Sequence, residues 1–424
     1  MKILVLSPYL PHRRVGHGGG TAVRDLVTWL ARDHQVSLAA MVRPYEQDLV
    51  SEVEALGVKV LGLPFLDDRA AGADRLALAA ARGRAWVRSV VSGHPLYVEK
   101  YWSLGHSRRI LEAVRDFRPD AVQVEYLQMS LYCRDLQAWR RRGNSPLPRL
   151  VLNSHELGSL PRQRRALRTA DPLKRSALNL EAARWRRLQV SASGWADSTL
   201  CVTPEDHALY AAMGGRNLQV VPLGMDTERI LPDWEPQAPE RHLFLGSFGH
   251  RPNLVAAEFL TEVVWPAVHR ERPQARLLLA GRGSQEFLSG RGSPSRWAGQ
   301  GVSALGYVED LAPIFRTCRL FLAPLPEGGG IKIKILEAMA RGVPVVTSPV
   351  GAEGIVQARN AEDALVIRPC DDSFAPAVLA AAADPDGCRR RAARARSVIE
   401  DGFSWRAITG RLARIYAGET TPAG

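Results

Sequence analysis

The residues best equipped for chemistry lie in one short segment, Glu327-Gly328-Gly329-Gly330-Ile331-Lys332-Ile333-Lys334-Ile335-Leu336-Glu337-Ala338-Met339-Ala340-Arg341. It follows an apolar run that reads as a strand, and it opens a helical pattern. Three consecutive glycines leave backbone N–H groups uncovered, and a helix N-terminus adds partial positive charge. Together they make an anion site, to which Lys332 and Lys334 can add full charge. Glu337 fits beside an anion only if it faces sugar hydroxyls, and a ribose diol offers two donors to one carboxylate. The competing reading is a glycine-rich turn with a surface lysine pair and a capping glutamate. The next stretch, Gly342 to Gly354, is a strand leading into a second Gly-rich loop, and it favours the anion site.

Other chemistries lack their residues. No carboxylate pair stands out in acid and base roles, which disfavours a two-carboxylate hydrolase. No Asp, His or Cys cluster has metal-ligand spacing, so catalysis with neither bound metal nor cofactor is expected. The five cysteines are scattered and lack a Cys-x-x-Cys pair, which suits a reducing compartment. The N-terminus, Met1 to Pro8, reads straight into a buried strand without a signal-peptide pattern. No apolar run approaches the roughly 18 residues that span a bilayer. A cytoplasmic protein is expected.

Hydrophobic residues make up 46% and charged residues 24%, the balance of a globular enzyme, and net charge is +12. The basic excess concentrates in Pro161 to Val190, where Arg162, Arg164, Arg165, Arg168, Lys174, Arg175, Arg184, Arg186 and Arg187 face only Asp171 and Glu181. One reading is a solvated helical face. The other is an anionic membrane surface, at which a cytoplasmic protein would meet the inner face. Nucleic acid is not expected, because interleaved aromatics and a reading motif are missing.

The elements that must position these residues alternate between short Val/Ile/Leu runs and helical patterns, the mark of parallel sheets with crossover helices. Strands are predicted at Lys2–Leu6, Gln35–Ala40, Val58–Leu61, Ala121–Val124, Leu150–Asn153, Thr199–Val202 and Gln219–Val221. A second series runs through His242–Leu245, Arg276–Ala280, Ser303–Leu305, Leu320–Ala323, Pro344–Thr347 and Leu365–Ile367. Between them Pro232, Pro236 and Pro239 mark residues 227–240 as a linker, because proline stiffens a connector and is excluded from a sheet interior. Residues 1–226 and 241–403 then form two Rossmann-like α/β domains facing a central cleft. The last helix, within 404–424, carries Trp405, Ile408, Leu412 and Ile415 on one face and is expected to pack back on the first domain.

Residues 320–354 resemble the donor-site signature of retaining GT-B glycosyltransferases of the family-four type (glycosyl transferases group 1). The Gly-Gly-Gly-Ile-Lys-Ile-Lys loop is similar to a variant found in bacterial polysaccharide and envelope enzymes. Leu245 to Asn253, Leu279 to Gly283 and Leu305 to Leu311 match the family in type and order, as do Gly18-Gly19-Gly20, Asn153-Ser154-His155-Glu156 and Val221 to Asp226.

The resemblance implies a nucleotide diphosphate sugar as donor and a glycan or lipid-linked acceptor. Glu337 would hold the ribose, and Lys334 with His250 or Arg251 would neutralise the diphosphate. Backbone near Tyr307 and Val308 would read the base. Gly328, Gly329, Gly330 and Lys332 would border the sugar and phosphate, and Gly18 to Gly20 would border phosphate or acceptor. His155 would reach the sugar at the reacting centre, or else be a hydrogen-bonded turn histidine. One departure is plain: the family's first glutamate, eight positions before Glu337, is Gly329 here. Ser247 and Asn253 stand where the family's Arg/Lys pair is expected. A non-catalytic nucleotide-sugar binder and a sugar-nucleotide epimerase of related fold are the alternatives.

Overall fold

The computed structural model describes residues 1–13, 18–143, 148–167, 169–328, 330–355 and 362–419. The chain divides into two compact units, Met1–Val221 with Ile408–Ala423, and Pro222–Ala407. Each is a parallel sheet with helices on its faces.

In the first unit seven strands follow the order β3-β2-β1-β4-β5-β6-β7. They are β1 (Lys2–Ser7), β2 (Gln35–Val42), β3 (Lys59–Pro64), β4 (Ala121–Glu125), β5 (Arg149–Asn153), β6 (Ser198–Cys201) and β7 (Leu218–Val220). Leu4, Leu6, Val122, Val124, Leu150 and Leu152 lie at or near zero exposure in one core cluster. Burial on both faces explains why these strands read as continuous apolar runs. Polar residues inside them, Gln123 and Glu125, are therefore conspicuous.

The second unit repeats the plan with six strands in the order β10-β9-β8-β11-β12-β13. They are β8 (Arg241–Leu245), β9 (Arg276–Ala280), β10 (Val302–Gly306), β11 (Leu320–Ala323), β12 (Val345–Thr347) and β13 (Val366–Ile367). In both sheets the order reverses beside the first strand, between β1 and β4 and between β8 and β11. Ligands of such sheets bind outside the strand carboxyl ends at that reversal. All the predicted strands form, and no end is shifted by more than three residues.

The boundary differs from the expected linker. It falls at Val221/Pro222, and residues 227–240 belong to the second unit. Trp234 Nε1 donates to the Cys318 carbonyl at 2.7 Å, and Arg396 donates to the carbonyls of Thr227 and Ile230. The prolines stiffen a strap laid on the unit, a geometry that proline density alone does not distinguish from a free connector. At the other end the helix Trp405–Ala417 passes from the second unit into the first at Ile408, with Ile408, Leu412 and Ile415 buried.

The ends of β8, β9 and β10 are knitted by main-chain bonds: Gly246 N–H to the Ala280 carbonyl at 3.0 Å and Gly281 N–H to the Gly306 carbonyl at 2.7 Å. Gly281 has φ of 125°, and a Cβ there would lie 2.0 Å from the Gly246 carbonyl oxygen. Gly281→Ala therefore combines backbone strain with a main-chain clash, and a loss of about 3 kcal/mol is expected. Thermal or urea unfolding of the variant checks this; an unchanged midpoint would contradict the close approach.

Candidate functional site

Lys334 spans the strand-order reversal of the second unit. It sits in the first turn of the helix Ile333–Ala340, which follows β11. Its Nζ donates to the carbonyl of Leu245, the last residue of β8, at 2.9 Å, and to Asn253 Oδ1 at 2.6 Å. The ammonium also lies 4.9 Å from the Phe244 ring centroid. All three partners are neutral. Burial without a counter-charge, and secondarily the charge of Lys332, bring the Lys334 pKa down to about 7.

Asn253 makes this possible. Its Nδ2 donates to the Ser247 carbonyl at 3.0 Å, which turns Oδ1 toward Lys334. Gly246 leaves room for that side chain, because a Cβ at 246 would lie 2.7 Å from Asn253 Cγ. In the sequence Asn253 stood only as a departure from the family pattern; the structure gives it work as the lysine's holder. The available signal was an amide near the start of the helix Arg251–Phe259.

The neighbouring charges are already engaged. Lys332 occupies the N-cap position, where its Nζ bonds to the Gly330 carbonyl and lies 3.5 Å from Glu353 Oε2. Arg251 donates from Nε to Glu327 Oε1 at 2.9 Å, tying the loop after β8 to the loop after β11. Its guanidinium is thus part of a loop clasp on an exposed side chain, a pairing that sequence spacing does not reveal. His250, also exposed, precedes the same helix. Glu337 Oε1 receives both Nε and Nη2 of Arg341, at 3.3 and 3.0 Å. One helical turn separates the pair, so Arg341 fixes the carboxylate while Oε2 takes no hydrogen bond from the described residues.

Gly328 and Gly330 hold φ of 139° and 68°, conformations that favour glycine. Gly329 lies outside the described residues, as does Arg168. After β10, Tyr307 is exposed and has the Arg282 guanidinium 5.3 Å from its ring centroid. Val308 beside it is half-buried. An aromatic ring with an arginine over it, on an open strand end, suits stacking with a planar base.

In the first unit the corresponding reversal gathers a different set. Glu125, the last residue of β4, has no exposed surface. It accepts from Gln123 Nε2 at 2.5 Å, Asn153 Nδ2 at 3.2 Å and a ring nitrogen of His155, Nε2, at 2.5 Å. The His155 ring stacks on Tyr126 with centroids 3.7 Å apart and planes 7° from parallel. Both residues have positive φ, 56° and 70°. Such strain in non-glycine residues persists only where surrounding contacts over-determine it, and it clusters at functional sites. Of this group the sequence reading assigned a role to His155 alone, with Asn153 present only as part of its motif. The polar Gln123 and Glu125 inside an apolar strand were the signal for the rest. Gly18, Gly19 and Gly20 form the first turn of the helix Gly18–Asp33, which carries no acid there.

Among the described residues no group of three or more His, Cys, Asp or Glu side chains is placed to hold a metal ion. Among the same described residues no helix is long and apolar enough to cross a membrane.

Two parallel-sheet units with this strand order are the GT-B plan, and solved structures share it over the whole chain. HepE of Anabaena, solved in complex with UDP, superposes with a TM-score of 0.63 at 13% identity, covering 99% of this chain and 100% of that one. Sucrose-phosphate synthase of Thermosynechococcus elongatus gives 0.63 at 18% identity, covering 99% of each. The family model described as Glycosyltransferase Family 4 matches residues 16–229, and that described as Glycosyl transferases group 1 matches 239–384. The chain belongs to glycosyltransferase family 4. A phosphatidyl-myo-inositol mannosyltransferase of Mycobacterium tuberculosis is 28% identical over 211 residues, 48% of this chain and 54% of that protein. The match thus spans about half the length of this curated relative.

The lowered Lys334 pKa has a measurable consequence. A bound diphosphate supplies the missing counter-charge and favours the ammonium form, so at pH 8 binding takes up a proton. Calorimetry of nucleoside diphosphate binding in buffers of different ionisation enthalpy should show net uptake at pH 8 and less at pH 6, where Lys334 is already charged. Equal uptake at both values would contradict the assignment.

Proposed function

We propose that this protein is a glycosyltransferase that moves a sugar from a nucleotide diphosphate sugar to a glycan or lipid-linked acceptor in polysaccharide or glycolipid synthesis. The observation that carries the reading is Lys334, an ammonium with neutral partners at the switch point of the second unit. The relatives lend support: HepE was solved with UDP, and the mycobacterial protein is named a mannosyltransferase.

Breaking the anomeric C–O bond places negative charge on the departing diphosphate. Preorganised donors that meet this charge lower the barrier. Lys334 supplies the charge, and the N–H groups of the first turn after Lys332 add to it. Glu337, aimed by Arg341, takes the ribose hydroxyls, and Tyr307 with Arg282 receives the base. We further propose that configuration is retained, by same-face attack in which the leaving phosphate accepts the acceptor's proton. We also propose that His155 touches the transferred sugar. No cofactor or metal is called on.

Incubation of a nucleotide-sugar panel with lysate acceptors tests this. Nucleoside diphosphate should appear only when acceptor is present, and Lys334→Ala should lower turnover by roughly 100-fold or more. Glu337→Ala should weaken donor use in the same assay. Binding without turnover would favour a non-catalytic binder, and donor conversion without acceptor an epimerase. Full activity in both variants would remove the site assignment.

We also infer that an anionic membrane surface is a partner, on a specific observation. The helix Ala73–Ser92 buries Ala85 and Ser89 but exposes Leu76, Trp86, Val87, Val90 and Val91 at helical spacing, with Arg75, Arg82 and Arg84 among them. Trp86 is 60% and Val91 82% exposed. The basic helices Ser159–Leu167 and Pro172–Ser193 likewise expose Leu167, Leu173 and Leu180. An apolar stripe among arginines suits an acidic lipid interface. The protein should float with phosphatidylglycerol vesicles at low salt and be released by high salt, and Val91→Glu should weaken binding. Absence of binding at low salt would end this inference.

A further inference from the structure

A buried chain of hydrogen bonds runs from the C-terminal helix to His155, and its polarity can be assigned. Tyr416 is fully buried on the helix Trp405–Ala417, and burial raises its phenol pKa well above the ordinary value, so it stays an O–H. That O–H bonds to Gln123 Oε1. The other end of the amide, Nε2, lies 2.5 Å from Glu125 Oε1. Turning the amide over would set its oxygen against a carboxylate oxygen, acceptor against acceptor. Gln123 must therefore present its NH₂ to Glu125, and Tyr416 must donate.

Glu125 then receives three donors: Gln123 Nε2 on Oε1, and Asn153 Nδ2 and His155 Nε2 on Oε2. A carboxylate accepts all of these, whereas a protonated acid would have to donate one of its positions away. It follows that His155 carries a proton on Nε2, and that in the neutral ring Nδ1 is the nitrogen left as an acceptor. The stack on Tyr126 fixes the plane of the ring, and Glu125 fixes its rotation within that plane. Nothing in the motif Asn153-Ser154-His155-Glu156 points to residues 123 and 416, which lie 32 and 261 positions away in the sequence.

We propose that Tyr416, Gln123 and Glu125 are positioning residues that hold His155 as the Nε2–H tautomer and keep Nδ1 for substrate. Only the last step, that Nδ1 meets substrate, rests on reading His155 as a group of the reacting centre. Tyr416 sets the amide, the amide supports the carboxylate, and the carboxylate sets the tautomer. The C-terminal helix is thereby part of the site's machinery and not only a packing element.

The test uses the full chain with ¹⁵N-labelled histidine, the His155 resonances being assigned by their loss in His155→Gln. In the neutral ring, Nε2 should carry the proton and Nδ1 should resonate as an unprotonated nitrogen. Tyr416→Phe keeps the ring and removes only the hydroxyl, so the thermal midpoint reports whether the fold survives. In a folded Tyr416→Phe or Glu125→Gln protein, the Nδ1–H tautomer should become populated. Where turnover is measurable, kcat should fall about 10- to 100-fold with donor KM nearly unchanged. A proton on Nδ1 in the wild type, or an unaltered tautomer in both folded variants, would overturn the proposal. The spectra decide this even if no acceptor is ever found, so failure of the glycosyltransferase reading remains separately visible.

Discussion

A lysine ammonium without a counter-charge is the constraint on which the second unit turns. Lys334 is held by the last carbonyl of β8 and by Asn253, and charge in that setting is costly enough to bring its pKa near neutrality. Much nearby detail serves that arrangement. Gly246 makes room for Asn253, Gly281 lets the end of β9 lie against Gly246, and Lys332 takes the local carboxylate Glu353 for itself. The Arg251–Glu327 clasp joins the two loops that flank the switch point. An incoming diphosphate would supply the missing counter-charge and relieve that cost.

The first unit solves the opposite problem. There the buried charge is a carboxylate, and Glu125 is satisfied by three convergent donors. One sheet plan thus supports two chemistries, because the switch point only gathers loop ends and the side chains decide what is gathered. The positive φ of Tyr126 and His155 shows that local backbone preference is overridden there by the contacts around the two rings.

The sequence carried the strands and their parallel arrangement plainly, since burial on both faces writes itself as unbroken apolar runs. It also placed Lys334 and Glu337 in one segment between a strand and a helix. What it could not carry were relations across the fold. Asn253 and Lys334 are 81 positions apart and Tyr416 and Gln123 are 293, so neither contact has a local signature. Arg251 and Lys332 looked equivalent to Lys334 as phosphate ligands until their partners Glu327 and Glu353 were placed. The proline-rich stretch read as a free linker because proline reports stiffness and not what the stiff segment rests on.

The position of the phosphates in a crystal structure with a nucleoside diphosphate tests the central claim most directly. A β-phosphate oxygen should lie within about 3 Å of Lys334 Nζ, with the ribose hydroxyls on Glu337. A diphosphate bound elsewhere, with Lys334 still joined only to Leu245 and Asn253, would contradict it.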